Sequence, residues 1–245
     1  MGTKLRQQKR GHGGPSYRVP GHRFFGSVKY NHPKNAEHGQ VTGFIDDPAH
    51  SALLAEIMLE DGKKTYAIAA EGIAKGDDVE FGLKAKVRVG NVIPLENAPD
   101  GIPVFNIELH PGDGGKMARA GGSACYVVSH DEESGLVTIR TPSKSVKTLE
   151  PNCLATVGVA CGGGRLEKPF KKAGAKFHAM KARNKYWPIV RGTAMSAYDH
   201  PHGGKSLGKP STVARGTPPG RKVGHVAARR TGRRKGKIIE EEVKR

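Results

Sequence analysis

Apolar positions between residues 41 and 159 fall in short runs, each closed by Gly, Pro, Asp or Asn. Runs of that length, punctuated by turn residues, predict β-strands rather than long amphipathic helices. Val41 to Ile45 ends at Asp46-Asp47-Pro48, a turn signal. Residues 52–59 (ALLAEIML) and 64–70 (KTYAIAA) flank Asp61-Gly62, a pair that hairpin turns favour. By propensity alone the first of these could be a helix; it is assigned here as a strand. Further strands are expected at Ala85 to Val89 and Val104 to Leu109. Cys125 to Ser129 and Leu136 to Arg140 bracket an Asp-Glu-Glu-Ser-Gly turn, and Leu154 to Val159 makes the last strand. Many short strands at even spacing predict small barrels, so the fold class is all-β, with a span of about 125 residues fitting two five-stranded barrels. The break between them falls near Phe81-Gly82 to Lys86, giving expected domains at 35–82 and 83–160.

Outside that span the pattern changes. Residues 161–245 show no sustained period, and Pro188, Pro201, Pro210, Pro218 and Pro219 interrupt any helix, leaving room for short helical turns around Ala173 to Arg183. Such a segment buries too little apolar area to offset its ordering entropy, so it is expected to be disordered until it meets a partner. Charge names the kind of partner. Residues 1–34 hold eight Lys and Arg and no acid, net +8; residues 35–160 hold 11 bases and 18 acids, net −7; residues 161–245 hold 22 bases and five acids, net +17. A mildly acidic body thus carries a basic N-terminal extension (1–34) and a basic, Gly- and Pro-rich C-terminal extension (161–245). Two cationic arms call for a polyanion, either nucleic acid or an anionic membrane surface. No apolar run approaches the ~18 residues of a membrane span, and the opening MGTKLRQQKRGHGG has no apolar core of a secretory signal. Three cysteines (Cys125, Cys153, Cys161) cannot build a disulfide framework and lack zinc spacing; they are expected as small core residues of strands.

The C-terminal arm interleaves bases with aromatics: Phe170-Lys171-Lys172, Lys176-Phe177-His178, Lys185-Tyr186-Trp187, then Tyr198. Bases release counterions from phosphates, while aromatic and guanidinium planes stack on unpaired bases. A solvated basic tail is the bland alternative. Asp199-His200-Pro201-His202-Gly203-Gly204 is the most chemically suggestive stretch. It could supply zinc ligands, or His200 oriented by Asp199 could be a general base, but further ligands at a readable spacing are missing. A Gly-rich loop whose imidazoles donate to phosphate or ribose oxygens fits better. Gly204-Lys205-Ser206 imitates the end of a phosphate-binding loop, but Asp199 stands where its first glycine belongs and Pro210 prevents the following helix. Gly162-Gly163-Gly164 opens no helix and is no dinucleotide fingerprint. Arg229-Arg230-Thr231-Gly232-Arg233-Arg234-Lys235 suits nuclear import or phosphate contact equally.

Arg191-Gly192-Thr193-Ala194-Met195, followed by Asp199 to Gly204, resembles the signature of the universal ribosomal large-subunit protein two, the "L-two" family. Gly21-His22-Arg23 and Gly115 to Gly122 (GKMARAGG) are similar to it as well, while Pro218 to Gly224 and Ala227 to Gly232 resemble its archaeal and eukaryotic branch. The resemblance spans essentially the whole chain. It implies an OB-fold followed by an SH3-like barrel with long basic extensions in ribosomal RNA. It further implies a cytoplasmic, ribosome-bound structural protein that binds large-subunit RNA, supports subunit association and lies near the peptidyl transferase centre without being the catalyst. Its implied partners are that RNA, neighbouring ribosomal proteins and the small subunit, with no membrane. No cofactor or metal site is expected, Mg2+ belonging to the RNA. His200 matches the histidine linked to peptidyl transfer, expected to position RNA, and Arg119 a loop arginine on RNA. The expected RNA contacts are Arg6, Lys9, Arg10, Arg18, His22 and Arg23 in the first arm and Lys116 and Arg119 in the second barrel. In the last arm they are Lys171, Lys172, Lys176, Lys181, Arg183, Lys185, Trp187, Arg191, Asp199, His200, His202, Arg221, Lys222, Arg229, Arg230, Arg233 and Arg234. The rivals are a general nucleic-acid condenser and a metal-dependent hydrolase on Asp199, His200 and His202.

Overall fold

A computed structural model describes residues 3–30, 37–131, 133–204 and 212–228. The expected contacts Arg229, Arg230, Arg233 and Arg234, and the Lys205-Ser206 pair, lie outside the described residues. By packing, the chain divides into two units: residues 20–176 form one, while 3–19 and the described residues from 177 onward form the other.

The larger unit is all-β. Among the described residues ten strands share one sheet: β1 (Glu37–Ile45), β2 (Leu54–Leu59), β3 (Lys64–Ile68), β4 (Asp78–Phe81), β5 (Val92–Pro94), β6 (Pro103–Phe105), β7 (Cys125–His130), β8 (Val137–Arg140), β9 (Val146–Leu149) and β10 (Leu154–Val157). The order is β3-β2-β1-β4-β5-β10-β6-β7-β8-β9. ALLAEIML becomes β2 because both of its edges are taken: β1 pairs it through Val41↔Ile57 and Ile45↔Leu54, and β3 through Leu54↔Ile68. Tertiary pairing overrides helical propensity here. Between the barrels the sheet narrows to a single parallel pair, Phe81↔Val92.

The first barrel closes over Val41, Ala55, Ile57, Val79 and Phe81, and the second over Ile93, Val104, Ile107, Val127, Ile139 and Val157. A third cluster joins them, with Leu54, Ile68 and Ala70 of the first barrel against Phe105 and Ala160 of the second. Barrels of this size bury little area alone, so the shared seam, with Leu54 and Phe105 fully buried, stabilises both. Residues 20–30 belong to this unit, since Val28 and Tyr30 sit in its core.

Three expectations need correction. Ala85 to Val89 is not a strand: Ala85 N–H bonds back to the Gly82 carbonyl and Arg88 N–H to that of Lys86, so tight turns replace the alternating ladder. Three strands escaped the pattern: β4 within the acidic Asp77-Asp78-Val79-Glu80 cluster, β5 just after Gly90-Asn91, and β9 in the polar stretch after Lys144. β4 and β9 each turn only one or two residues to the core, and β5 is three residues long and wholly buried, so none of them shows a period. Finally, Cys125 lies in β7 but Cys153 precedes β10 and half-buried Cys161 follows it. Burial pushes the Cys125 and Cys153 thiols up to about 11, as inert core groups.

Among the described residues the second unit carries only short elements. Its helix α1 (Arg6–Lys9) is a single turn, and its residues 177–182 are the C-terminal part of α2 (Ala173–Ala182), a ten-residue helix where short helical turns are expected. A short parallel pair, β11 (Thr212–Val213) with β12 (His225–Val226), and the buried side chains of Leu5 and Val223 complete it.

Candidate nucleic-acid interface

Residues 191–204 fold into a self-closed loop. Gly192 to Ala194 form a 3-10 turn, with the Ala194 and Met195 N–H groups on the carbonyls of Arg191 and Gly192. The Asp199 and His200 N–H groups both reach the Ser196 carbonyl, and Gly204 N–H returns to Met195 at 3.1 Å. Two glycines permit this closure. A Cβ at Gly192 would strike the His200 imidazole, and one at Gly203 the Ser196 carbonyl. The signature is therefore a packing requirement, with the His200 ring against bare backbone.

His202 N–H donates to His200 Nδ1 at 3.0 Å, which leaves Nε2 to carry the ring proton. Burial holds His200 below the ordinary histidine value, and the His202 ring, 5.0 Å away, adds to the effect. Asp199 does not orient His200. Its carboxylate accepts the hydroxyls of Thr3 (3.2 Å) and Ser196 (2.9 Å), so the general-base pairing considered from the sequence is not formed. Among the described residues no group of three His, Cys, Asp or Glu is placed to hold a metal ion.

The N-terminal residues build the walls beside this loop. Thr3 N–H bonds the Tyr198 carbonyl, and Gln8 caps α1 by accepting Leu5 N–H at 2.8 Å. The Gln7 amide donates to the Lys222 carbonyl at 2.6 Å. Arg6 stacks its guanidinium 3.1 Å from the Tyr186 ring centre. Asn184 ends α2 in the left-handed region (φ 49°), with its N–H on Lys181 and that of Lys185 on Met180, a Schellman cap. Its side-chain amide donates to the Pro15 and Arg18 carbonyls at 2.7 and 2.6 Å.

Two grooves result. One, of about 510 Å³, is lined by Arg6, Lys9, Arg10, Tyr17, Tyr186 and His200 among others. The other, of about 700 Å³, is lined by Tyr198, Asp199, His200, His202 and Arg221. Lys4, Leu5, Asp199, His200 and Val223 border both, so His200 stands on the divide. The described residues of this unit hold twelve Lys and Arg and a single acid, Asp199. Such a surface attracts a polyanion, and its aromatic walls suit unpaired bases.

The expected contact residues divide between the units. Arg6, Lys9, Arg10, Asp199, His200, His202 and Arg221 come together at the two grooves, and Lys181, Lys185 and Trp187 line a smaller hollow with Phe177. Arg18, Arg183, Arg191 and Lys222 belong to the same unit, with Arg183 closing α2 and Arg191 opening the signature turn. His22, Arg23, Lys116, Arg119, Lys171, Lys172 and Lys176 belong to the barrel unit. There Glu108, fully buried, hangs the 110–119 loop by accepting N–H from Gly112, Gly114 and Leu154. On that loop Lys116 pairs with Asp113 at 2.9 Å, and half-buried Arg119 donates to the Gly115 and Val28 carbonyls. Burial lowers the Arg119 guanidinium from its ordinary value without discharging it near neutrality. The sequence did not single out Thr3, Lys4, Gln7, Gln8 or Asn184. Their partners lie up to 215 residues away, and short polar residues in a basic arm carry no local signal.

Comparison with known proteins agrees with this construction. The family model described as "Ribosomal Proteins L2, RNA binding N-terminal domain" matches residues 4–81, and that of "Ribosomal Proteins L2, C-terminal domain" matches residues 88–223. The large ribosomal subunit protein uL2 of Methanopyrus kandleri is 47% identical over 241 residues, covering 95% of this chain and 98% of that protein. That of Methanococcus vannielii is 49% identical over 242 residues, covering 96% and 100%, and that of Methanococcus maripaludis 48% with the same coverage. Both barrels and the closed histidine loop thus lie within the matched span, and the chain belongs to the ribosomal protein L2 family.

Proposed function

We propose that the chain is a structural constituent of the large ribosomal subunit, bound to its ribosomal RNA through the grooved terminal unit and the 110–119 loop. The carrying observation is the twelve-to-one excess of cations around a histidine loop closed by its own backbone. The cations neutralise phosphate, and Tyr17, Tyr186 and Tyr198 line the grooves as faces for unpaired bases. His200, neutral and with Nε2–H free of the loop's own bonding, positions RNA by donating one hydrogen bond. The chemistry of peptide transfer stays with the RNA, and the chain is not an enzyme. It needs no cofactor, and Mg2+ arrives with the RNA. Neighbouring ribosomal proteins, the small subunit and a cytoplasmic location complete the reading.

A binding titration against large-subunit RNA and an unrelated RNA duplex, across a salt series, tests it. Log affinity should fall with log salt by ~0.7–0.9 per phosphate neutralised on either RNA. A preference for large-subunit RNA that persists at high salt is expected. Equal loss on both would replace the ribosomal reading by a general condenser of nucleic acid.

A further inference from the structure

The segment that joins the barrels, residues 83–89 (LKAKVRV), takes no part in the sites described above. Lys84, Lys86 and Arg88 are all exposed, and none forms an ion pair among the described residues. Three of the eleven bases of the acidic 35–160 span therefore lie within five residues. Such a cluster inside a net −7 region is a local feature, unrelated to the charge of the arms.

The loop is also held in shape from beneath. Asn91 is buried; its side-chain oxygen accepts Glu80 N–H and its amide donates to the Lys86 carbonyl, both at 3.0 Å. The Glu80 carboxylate accepts Lys86 N–H at 2.8 Å, and the Asn97 amide donates to the Leu83 carbonyl at 2.9 Å. Both backbone polar groups of Lys86 are thus satisfied by side chains. A preformed cationic loop gives up little conformational entropy when it binds.

From this placement we infer that loop 83–89 is a further RNA-binding element, a rigid ledge that sets Lys84, Lys86 and Arg88 against consecutive backbone phosphates. Leu83, Val87 and Val89, 52%, 44% and 50% exposed, pack on ribose between them. A protein partner fits less well. The flanking strand β5 is paired on both sides, by β4 and β10, and offers no edge for strand addition. Phosphate contact requires neither edge nor pocket. The inference rests on the ribosomal RNA reading above and adds a contact that the signature loop and arms do not supply.

The test uses the full chain with K84Q, K86Q and R88Q combined, titrated against large-subunit RNA over a salt series beside the unaltered chain. An unchanged thermal transition confirms folding. The salt slope should fall by about 2–3, at ~0.7–0.9 per phosphate. A fall smaller than that of one phosphate overturns the ledge. In parallel, a benzoylphenylalanine at position 87 is photolysed in reconstituted large subunits. Crosslinks to RNA support the proposal; crosslinks to protein, or to neither, overturn it. If the unaltered chain itself shows no preference for large-subunit RNA, the ribosomal reading fails. If that preference stands and the triple variant matches it, only the ledge does.

Discussion

The signature loop depends on one imidazole serving as an acceptor. His200 Nδ1 takes the His202 N–H, and a proton on Nδ1 would set two donors facing each other. Burial and the neighbouring ring depress its basicity. The folded value lies below the unfolded one of about 6.5, so between them the unfolded chain binds more protons. Stability is then full above the unfolded value and is lost as pH falls through the folded one. An NMR titration of the His200 ring should give a midpoint below 6.5, with the His202 and Gly204 amides shifting over the same range. A midpoint at or above 6.5 would show that the loop does not exclude the proton. The Gly-His spacing was visible in the sequence as chemistry, whereas its structural cause was not. That Gly192 must lack a side chain because His200 lies against it is a fact of closure, and Asp199 turned out to serve Thr3 and Ser196.

Among the elements, α2 shows how a polar residue can carry two jobs. Its helix has no buried residue, so packing of an apolar face does not hold it. Its end is defined by Asn184, which takes the left-handed conformation and ties the Pro15 and Arg18 carbonyls. Two substitutions separate these roles. Asn184→Gly keeps the backbone and loses two hydrogen bonds, about 1 kcal/mol at this exposed site. Asn184→Ala loses the same bonds and adds roughly 1 kcal/mol of left-handed strain. Hydrogen exchange at the Lys185 amide, bonded to Met180, should therefore quicken in both and about fivefold more in the alanine variant. Equal exchange in the two would remove conformational strain from the account. A strand with several inward residues, such as β2, was legible from the pattern. Residues 85–89 misled because alternating Val and basic side chains mimic a ladder, while Asn91 and Glu80 claim the backbone bonds that a strand would need.

For the whole molecule, charge acts in two opposed directions. The terminal unit concentrates cations around a small apolar centre, Leu5 and Val223, so without RNA its own repulsion works against compaction. Screening by salt relieves that repulsion, since the Debye length falls from ~30 Å at 0.01 M to ~8 Å at 0.15 M. The same salt removes the counterion-release gain that drives RNA binding. The free chain should therefore tighten its terminal unit as its RNA affinity declines. Exchange protection at Gly204, whose amide closes the signature loop on Met195, reports the first effect. It should rise by about 1 kcal/mol, roughly fivefold, between 0.01 and 0.5 M salt. Amides of the β7–β8 ladder, in the net-acidic span, serve as the reference and should change little. If Gly204 protection stays level or falls, backbone closure and the Leu5–Val223 centre hold the unit without regard to its charge. The cations would then act only in RNA binding.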